Sequence, residues 1–250
     1  MDVRGSVCLV TGASSGIGAA TARALSSRGA RVLAAGSDPG RTQAAAARAG
    51  GTALVADLAA DGAAAQLAAS AEAVHGRVDV LVNNAGVGWA GEFAEMPEAE
   101  ISRLVQVDLT AALLLTRALL PGMVGRGRGH VVSVGSIAGH AGGRGEAVYA
   151  ACKAALAAFT ESLRQEHARS PVGFSVVIPG VVATPFFDRR GVPYTRTFPR
   201  PVPAERVAAA IVDAIVREHA QVVVPGWLGG PMRLRGALPE LYRPLVDRFG

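Results

Sequence analysis

Short apolar runs recur along the chain with Ala-rich helical stretches between them, and this alternation restricts the fold more than any other feature. The runs are residues 6–11, 31–35, 52–55, 79–83, 130–134, 173–178 and 221–224. Each is apolar throughout rather than alternating with polar residues, as expected of strands covered on both faces. The helical stretches between them are about 16–28, 41–49, 60–75, 97–126, 147–169 and 203–218. Strands that take turns with helices predict an α/β fold: a three-layer, doubly wound, parallel seven-stranded sheet. No composition shift or linker interrupts the pattern, so residues 1–250 are expected to form a single domain.

The composition agrees with a buried core, with 50% of residues hydrophobic and 18% charged. The net charge of +5 raises the question of nucleic acid. The basic residues are scattered with no run of five, which reads as a solvated surface, and no nucleic-acid partner is expected. No run approaches the roughly 20 apolar residues of a membrane span. The start, MDVRGSVCLVTG, lacks a signal-peptide layout. Cys8 and Cys152 lie in apolar and helical runs and read as packing residues rather than a disulfide. A soluble protein of the reducing cytoplasm is the expectation. One count is sharper. Of the 25 basic residues, 24 are Arg, and the single Lys is Lys153.

Residues 11–18 read TGASSGIG, after the first strand and at the start of the first helix. Gly12, Gly16 and Gly18 let backbone approach a phosphate, and the helix start offers free N–H groups and the positive end of its dipole. This is a dinucleotide site in the strand–turn–helix context that gives the glycine pattern its meaning. A carboxylate at the end of the second strand would bond a ribose 2′-hydroxyl and repel a 2′-phosphate. That strand ends at Gly36 and Ser37, neither acidic. Ser37 then donates to a phosphate and Arg41 is within reach. If the turn folds back, Asp38 selects NAD(H) instead. NADP(H) is favoured over NAD(H).

With TGASSGIG, Asn83-Asn84-Ala85-Gly86, Ser136, Tyr149-x-x-x-Lys153 and Pro179-Gly180 in that order, the chain resembles the short-chain dehydrogenase/reductase family from about residue 5 to 225. The resemblance implies a Rossmann-like fold, an NAD(P) cofactor, a small carbonyl or alcohol substrate and a homodimer or homotetramer, with no metal. It also implies roles for individual residues. Ser14, Ser15 and Ile17 accompany the turn glycines at the cofactor. Asp57, with Leu58, contacts the adenine. Asn84, Ala85 and Gly86 pass the adenine ribose. Lys153 bonds the nicotinamide ribose, and Val182 and Thr184, after Pro179 and Gly180, contact the carboxamide.

The expected chemistry is proton transfer at a carbonyl oxygen while hydride reaches the carbon. A free tyrosine titrates near 10, a poor match to neutral pH, and a nearby cation lowers that value. Tyr149 and Lys153 lie four apart in a helical stretch and share a face. A lysine can hold the phenol and still donate elsewhere, where an arginine would present a wide planar fork. Ser136 follows the fifth strand and is expected to orient the substrate oxygen. The family commonly has an asparagine in the fourth helix that holds a water linked to the lysine; here Val107-Asp108-Leu109-Thr110 places Asp108 there. Asp108 is expected to serve the same relay with reduced or pH-shifted activity.

The segment 184–203, TPFFDRRGVPYTRTFPRPVP, is expected to lie over the nicotinamide as a lid. Phe186, Phe187, Tyr194 and Phe198 would line an apolar pocket, and Arg189, Arg190, Arg196 and Arg200 would meet an anionic substrate. His140 and Arg144 would border it. The tail, 232–249, carries Leu234, Leu238, Leu241, Leu245 and Val246 at near-helical spacing and is expected to pack as an extra helix over the cleft or at a subunit contact. The leading function is an NADPH-dependent ketone or aldehyde reductase. A cofactor-binding sensor that has lost catalysis is the reading from another class; intact Ser136, Tyr149 and Lys153 argue against it. A transferred hydride ending in dehydration or epimerisation stays open, although such relatives carry larger substrate domains.

Overall fold

A computed structural model of the chain describes residues 1–237 and Glu240. Seven strands form one parallel sheet: β1 (Val7–Val10), β2 (Arg31–Gly36), β3 (Thr52–Val55), β4 (Val80–Asn83), β5 (Gly129–Val134), β6 (Val172–Pro179) and, last in the chain, Gln221–Val224. The helices that cross between them are α1 (Gly16–Ser26), α2 (Pro39–Arg48), α3 (Ala63–His75), α4 (Glu98–Val105), α5 (Ala111–Gly125), α6 (Ala138–Ala141) and α7 (Ala147–Glu166). After β6 come β7 (Val182–Ala183), α8 (Phe186–Arg189), β8 (Val202–Pro203), α9 (Ala204–Arg217), the seventh sheet strand, here β9, and α10 (Gly229–Ala237). The sheet order is β3-β2-β1-β4-β5-β6-β9.

Side chains from successive strand residues go to opposite faces, and both faces are covered. Cys8, Val10, Val32, Val80 and Val132 pack with α1 and α9 through Leu25, Val207, Ile211 and Ile215. Val7, Leu9, Leu33, Leu81 and Val131 pack with α3, α5 and α7 through Leu67, Leu115, Leu119 and Leu163. Double coverage explains why the strands read as unbroken apolar runs. The order reverses between β1 and β4, which opens a crevice at their C-terminal ends, where sheets of this kind take ligands.

Two sequence expectations change. The stretch 97–126 is not one regular helix: a π-helical turn, Gln106–Thr110, separates α4 from α5. Within the 28-residue run Glu98–Gly125, an 18-residue stretch reaches a mean hydropathy of 1.5, enough by length and composition alone to cross a membrane. That qualifies the expectation that no run approaches a membrane span, which counted unbroken apolar residues: the apolar stretch is interrupted by Asp108 and Arg117 and still passes on average hydropathy. In the fold it is a sheet-packing helix, with Leu104, Ala111, Leu115, Leu119 and Met123 buried. The segment 184–203 also carries regular structure. It contains α8, and its ends are tied where Val182 pairs with Val202 and Ala183 with Pro203. Of the tail, Leu234 lies on α10, which meets α6 where Arg235 lies close enough to disfavour the charged form of His140 beyond the effect of burial. Leu238, Leu241, Leu245 and Val246 lie outside the described residues.

Candidate active site

A cavity of about 1010 Å³ opens along the C-terminal edge of the sheet. At one end the β1–α1 turn makes its floor. Gly12 has φ +64°, and a Cβ there would stand 2.8 Å from Ala85 Cα and 2.9 Å from Asn84 Nδ2. Only glycine allows the turn to lie this close to the end of β4. The two segments are also bonded. Asn84 Nδ2 donates to Thr11 O at 2.8 Å, and the Asn84 and Ala85 N–H groups both donate to Thr11 Oγ1 at 3.0 Å. Ser15 is the N-cap of α1, yet its hydroxyl makes no bond to its own helix, and the first turn carries no acid. The open N–H groups of α1 face the cavity with Gly12, Ser14, Gly16 and Ile17. Gly18 is not in the lining; it lies beneath, packed on Gly12 O.

The second strand ends as anticipated, and Asp38 has a task of its own. It caps α2 by accepting from Arg41 N–H at 2.8 Å, and its other oxygen pairs with the Arg41 guanidinium at 3.1 Å. Ser37 and Arg41 line the cavity, as do Asp57 and Leu58, while Asp38 does not. A glycine-floored cradle, an uncapped helix start and a hydroxyl-and-guanidinium corner fit a dinucleotide with phosphates.

At the other end stand Ser136, Tyr149 and Lys153, with Gly86, Pro179 and Gly180. Thr160 holds α7 to β5: its hydroxyl donates to Leu156 O at 2.8 Å and accepts from Ser133 Oγ at 2.7 Å, which sets the height of Tyr149 and Lys153 above the sheet. Lys153 Nζ is 5.5 Å from the Tyr149 ring centre. Val182 and Thr184 also line the cavity, and Thr184 packs on Gly16, whose added Cβ would meet its Cγ2 at 3.0 Å. Asp108 is not in the lining. It is buried behind Gly86, accepting from Val87 N–H at 2.8 Å and pairing with Lys153 Nζ at 3.2 Å. A Cβ on Gly86 would stand 3.1 Å from Asp108 Oδ2 and 3.3 Å from Lys153 Nζ, so a larger residue would wedge the pair apart.

The electrostatics differ from expectation. Burial pushes the Tyr149 phenol above its ordinary value; Lys153 and a hydrogen bond with Ser136 pull it down, and Asp108 pushes it further up. Lys153 therefore limits a rise instead of producing a net fall. Burial also disfavours a charged Lys153, but Asp108, with a contribution from Tyr149, more than offsets this and keeps Lys153 protonated. Burial raises the Asp108 carboxyl, against the pull of Lys153 and Val87.

The loop residues divide. Phe186 meets the Tyr149 ring at 5.4 Å, and Phe187 and Tyr194 continue the apolar wall. Phe198 is 70% exposed and does not line the cavity, but it stacks on Trp227, which does. Arg190 forms an ion pair with Glu146 and lies over Phe187 at 4.6 Å, so its charge is already matched. Arg144, Arg189 and Arg196 line the cavity, and His140 and Arg200 do not. Sequence reasoning missed Glu146, Trp227 and Leu228, since each reaches the cavity through tertiary packing with no local pattern.

The short chain dehydrogenase family model matches residues 6–192. The chain belongs to this family. It is 37% identical over 228 residues to the ketoacyl reductase HetN of Nostoc sp. (strain PCC 7120), covering 88% of this chain and 78% of that protein. Its structure is similar to a short-chain dehydrogenase from Sphingobium yanoikuyae in complex with NADPH, with a TM-score of 0.84 and 29% identity over 97% of this chain and 95% of the other. It is equally similar to a family member from Burkholderia phymatum in complex with NAD, with a TM-score of 0.86 and 26% identity over 96% of each. The protein is an NAD(P)-dependent oxidoreductase acting between C=O and CH–OH groups.

Proposed function

We propose that the protein is an NADPH-dependent ketone or aldehyde reductase in which Tyr149 is the general acid. The observation that carries this is one continuous cavity with Ser37 and Arg41 at one end and Ser136, Tyr149 and Lys153 at the other. A nicotinamide bound at the second end supplies the hydride. Tyr149 gives its phenolic proton to the substrate oxygen, and Ser136 holds that oxygen by a hydrogen bond. A phenol pushed up by burial is protonated at neutral pH, the form needed to protonate a carbonyl oxygen. Lys153, kept charged by Asp108, limits the cost of the phenolate that forms and presents its remaining N–H groups to a ribose. Phe186, Phe187 and Tyr194 give the substrate an apolar wall.

NADP(H) is the preferred cofactor in this reading, because Asp38 is engaged by Arg41 and the helix it caps, while Ser37 and Arg41 face the cavity. The protein is placed in the reducing cytoplasm, in keeping with two free buried cysteines. It is read as a homodimer or homotetramer, because Val105, Leu114 and Val124 of the Glu98–Gly125 run are 37 to 43% exposed. The test of the chemistry is NADPH oxidation with a panel of ketones and aldehydes. Wild type is expected to turn over at least one, and Tyr149→Phe to lose turnover while still binding NADPH. Turnover that survives in Tyr149→Phe would refute the assignment.

A further inference from the structure

Arg189 does not face the substrate end. Its Nη2 donates to Ser15 Oγ at 2.8 Å, across the cavity from its own loop. Burial lowers the Arg189 pKa first, and the neighbouring charge of Arg41 lowers it further, with Asp38 opposing. Arg189, anchored on Ser15, and Arg41 both line the same end of the cavity, close enough for each charge to bear on the other. The nearby carboxylate, Asp38, is already paired with Arg41 at 3.1 Å and bonded to the start of α2. The hydroxyls of Ser15 and Ser37 complete the corner, and all except Asp38 line the cavity. Two cations sharing one carboxylate leave a positive charge unmatched, and a guanidinium fork suits a phosphate.

We propose that Arg189 is a phosphate ligand carried by the loop: with Arg41 it closes on the 2′-phosphate of NADP(H) and so ties the position of α8 to the kind of dinucleotide bound. This rests on the NADP(H) reading above. The mechanical link is α8 itself. One short helix carries Arg189 and also Phe186, which forms a wall against Tyr149 at 5.4 Å. Next to it, Arg190 ties the same helix to Glu146, the residue before α7. A phosphate held by Arg189 therefore fixes the apolar wall beside the reacting oxygen, and an unphosphorylated cofactor lacks that hold.

The experiment is affinity measurement with NADPH, NADH, 2′,5′-ADP and 5′-ADP on wild type, Arg189→Met and Arg41→Met, together with the rate of tryptic cleavage after Arg196. Wild type is expected to prefer the phosphorylated member of each pair. Arg189→Met is expected to weaken NADPH and 2′,5′-ADP about tenfold or more, the loss expected for hydrogen bonds to a charged group, and to leave NADH and 5′-ADP unchanged. NADPH is expected to slow cleavage of the loop more than NADH does in wild type, and no more than NADH in Arg189→Met. If Arg41→Met loses the preference and Arg189→Met keeps it, Arg189 is not a phosphate ligand and the NADP(H) reading survives. Equal weakening of NADPH and NADH by Arg189→Met overturns the assignment to the 2′-phosphate. Equal affinity of wild type for NADPH and NADH overturns both readings.

Discussion

His130, the second residue of β5, is buried inside the sheet. Ser175 Oγ donates to His219 O at 2.6 Å, so the proton in the 2.8 Å contact between His130 Nε2 and Ser175 Oγ belongs to the ring. That tautomer leaves Nδ1 bare, and Nδ1 has no partner among the described residues. A proton added there would meet the backbone of Gly173 rather than an acceptor. Burial, helped by the N-terminal amine and opposed by Glu218, takes the ring pKa down to about 4. The unfolded chain binds this proton near 6.5, so between those values it binds more protons than the fold and stability falls as pH falls. The linkage integral gives a loss of about 2 kcal/mol from pH 7.5 to 5.0 and about 3 kcal/mol once the pH is below 4. For a domain of this size 2 kcal/mol is about 4–8 °C in Tm. His130→Gln keeps a donor for Ser175 and cannot titrate. Urea unfolding of both proteins at the two pH values is expected to show about 2 kcal/mol less acid sensitivity in the variant. Equal sensitivity would refute the reasoning, as would a His130 ring that titrates near 6.5 in the folded wild type by NMR.

Asp108→Asn removes a charge that pushes the Tyr149 phenol up, so the acid limb of alcohol oxidation, which needs the phenolate, is expected to move to lower pH. A pH–rate profile superimposable on that of wild type would show that the charge does not matter. Leu114→Glu places a charge on an exposed apolar position of α5 and is expected to split the assembly, read by sedimentation velocity. A wild type that already sediments as a monomer would remove the homo-oligomer reading.

The strands were legible because the sheet is covered on both faces, which leaves continuous apolar runs in the sequence. The glycine turn was legible because backbone that must approach Ala85 within van der Waals contact excludes a side chain. The π-helical turn was not. Its extra residue is set by where Asp108 must reach, to Lys153 and Val87 on other elements, and helical periodicity carries no trace of that. His130 was hidden in a strand read as apolar. The loop 184–203 is expected from sequence to be a lid segment, and the partners of its arginines are not legible there. Arg190 meets Glu146 and Arg189 meets Ser15 only after the chain has folded.

The single lysine and the unusual aspartate form one unit. In a buried site an isolated ammonium loses its hydration and tends to deprotonate, and a neutral Lys153 would do little for a phenolate beside it. Asp108 supplies the opposite charge at 3.2 Å and keeps the ammonium, while its own charge pushes the Tyr149 phenol further up. The two effects favour the same direction of chemistry. A tyrosine that stays protonated at neutral pH can give its proton to a carbonyl oxygen, whereas alcohol oxidation must wait for a higher pH to free the phenolate. An uncharged asparagine at 108 would relax both constraints together. On the proposed reading, aspartate at 108 thus favours reduction over oxidation at neutral pH through the protonation state of Tyr149.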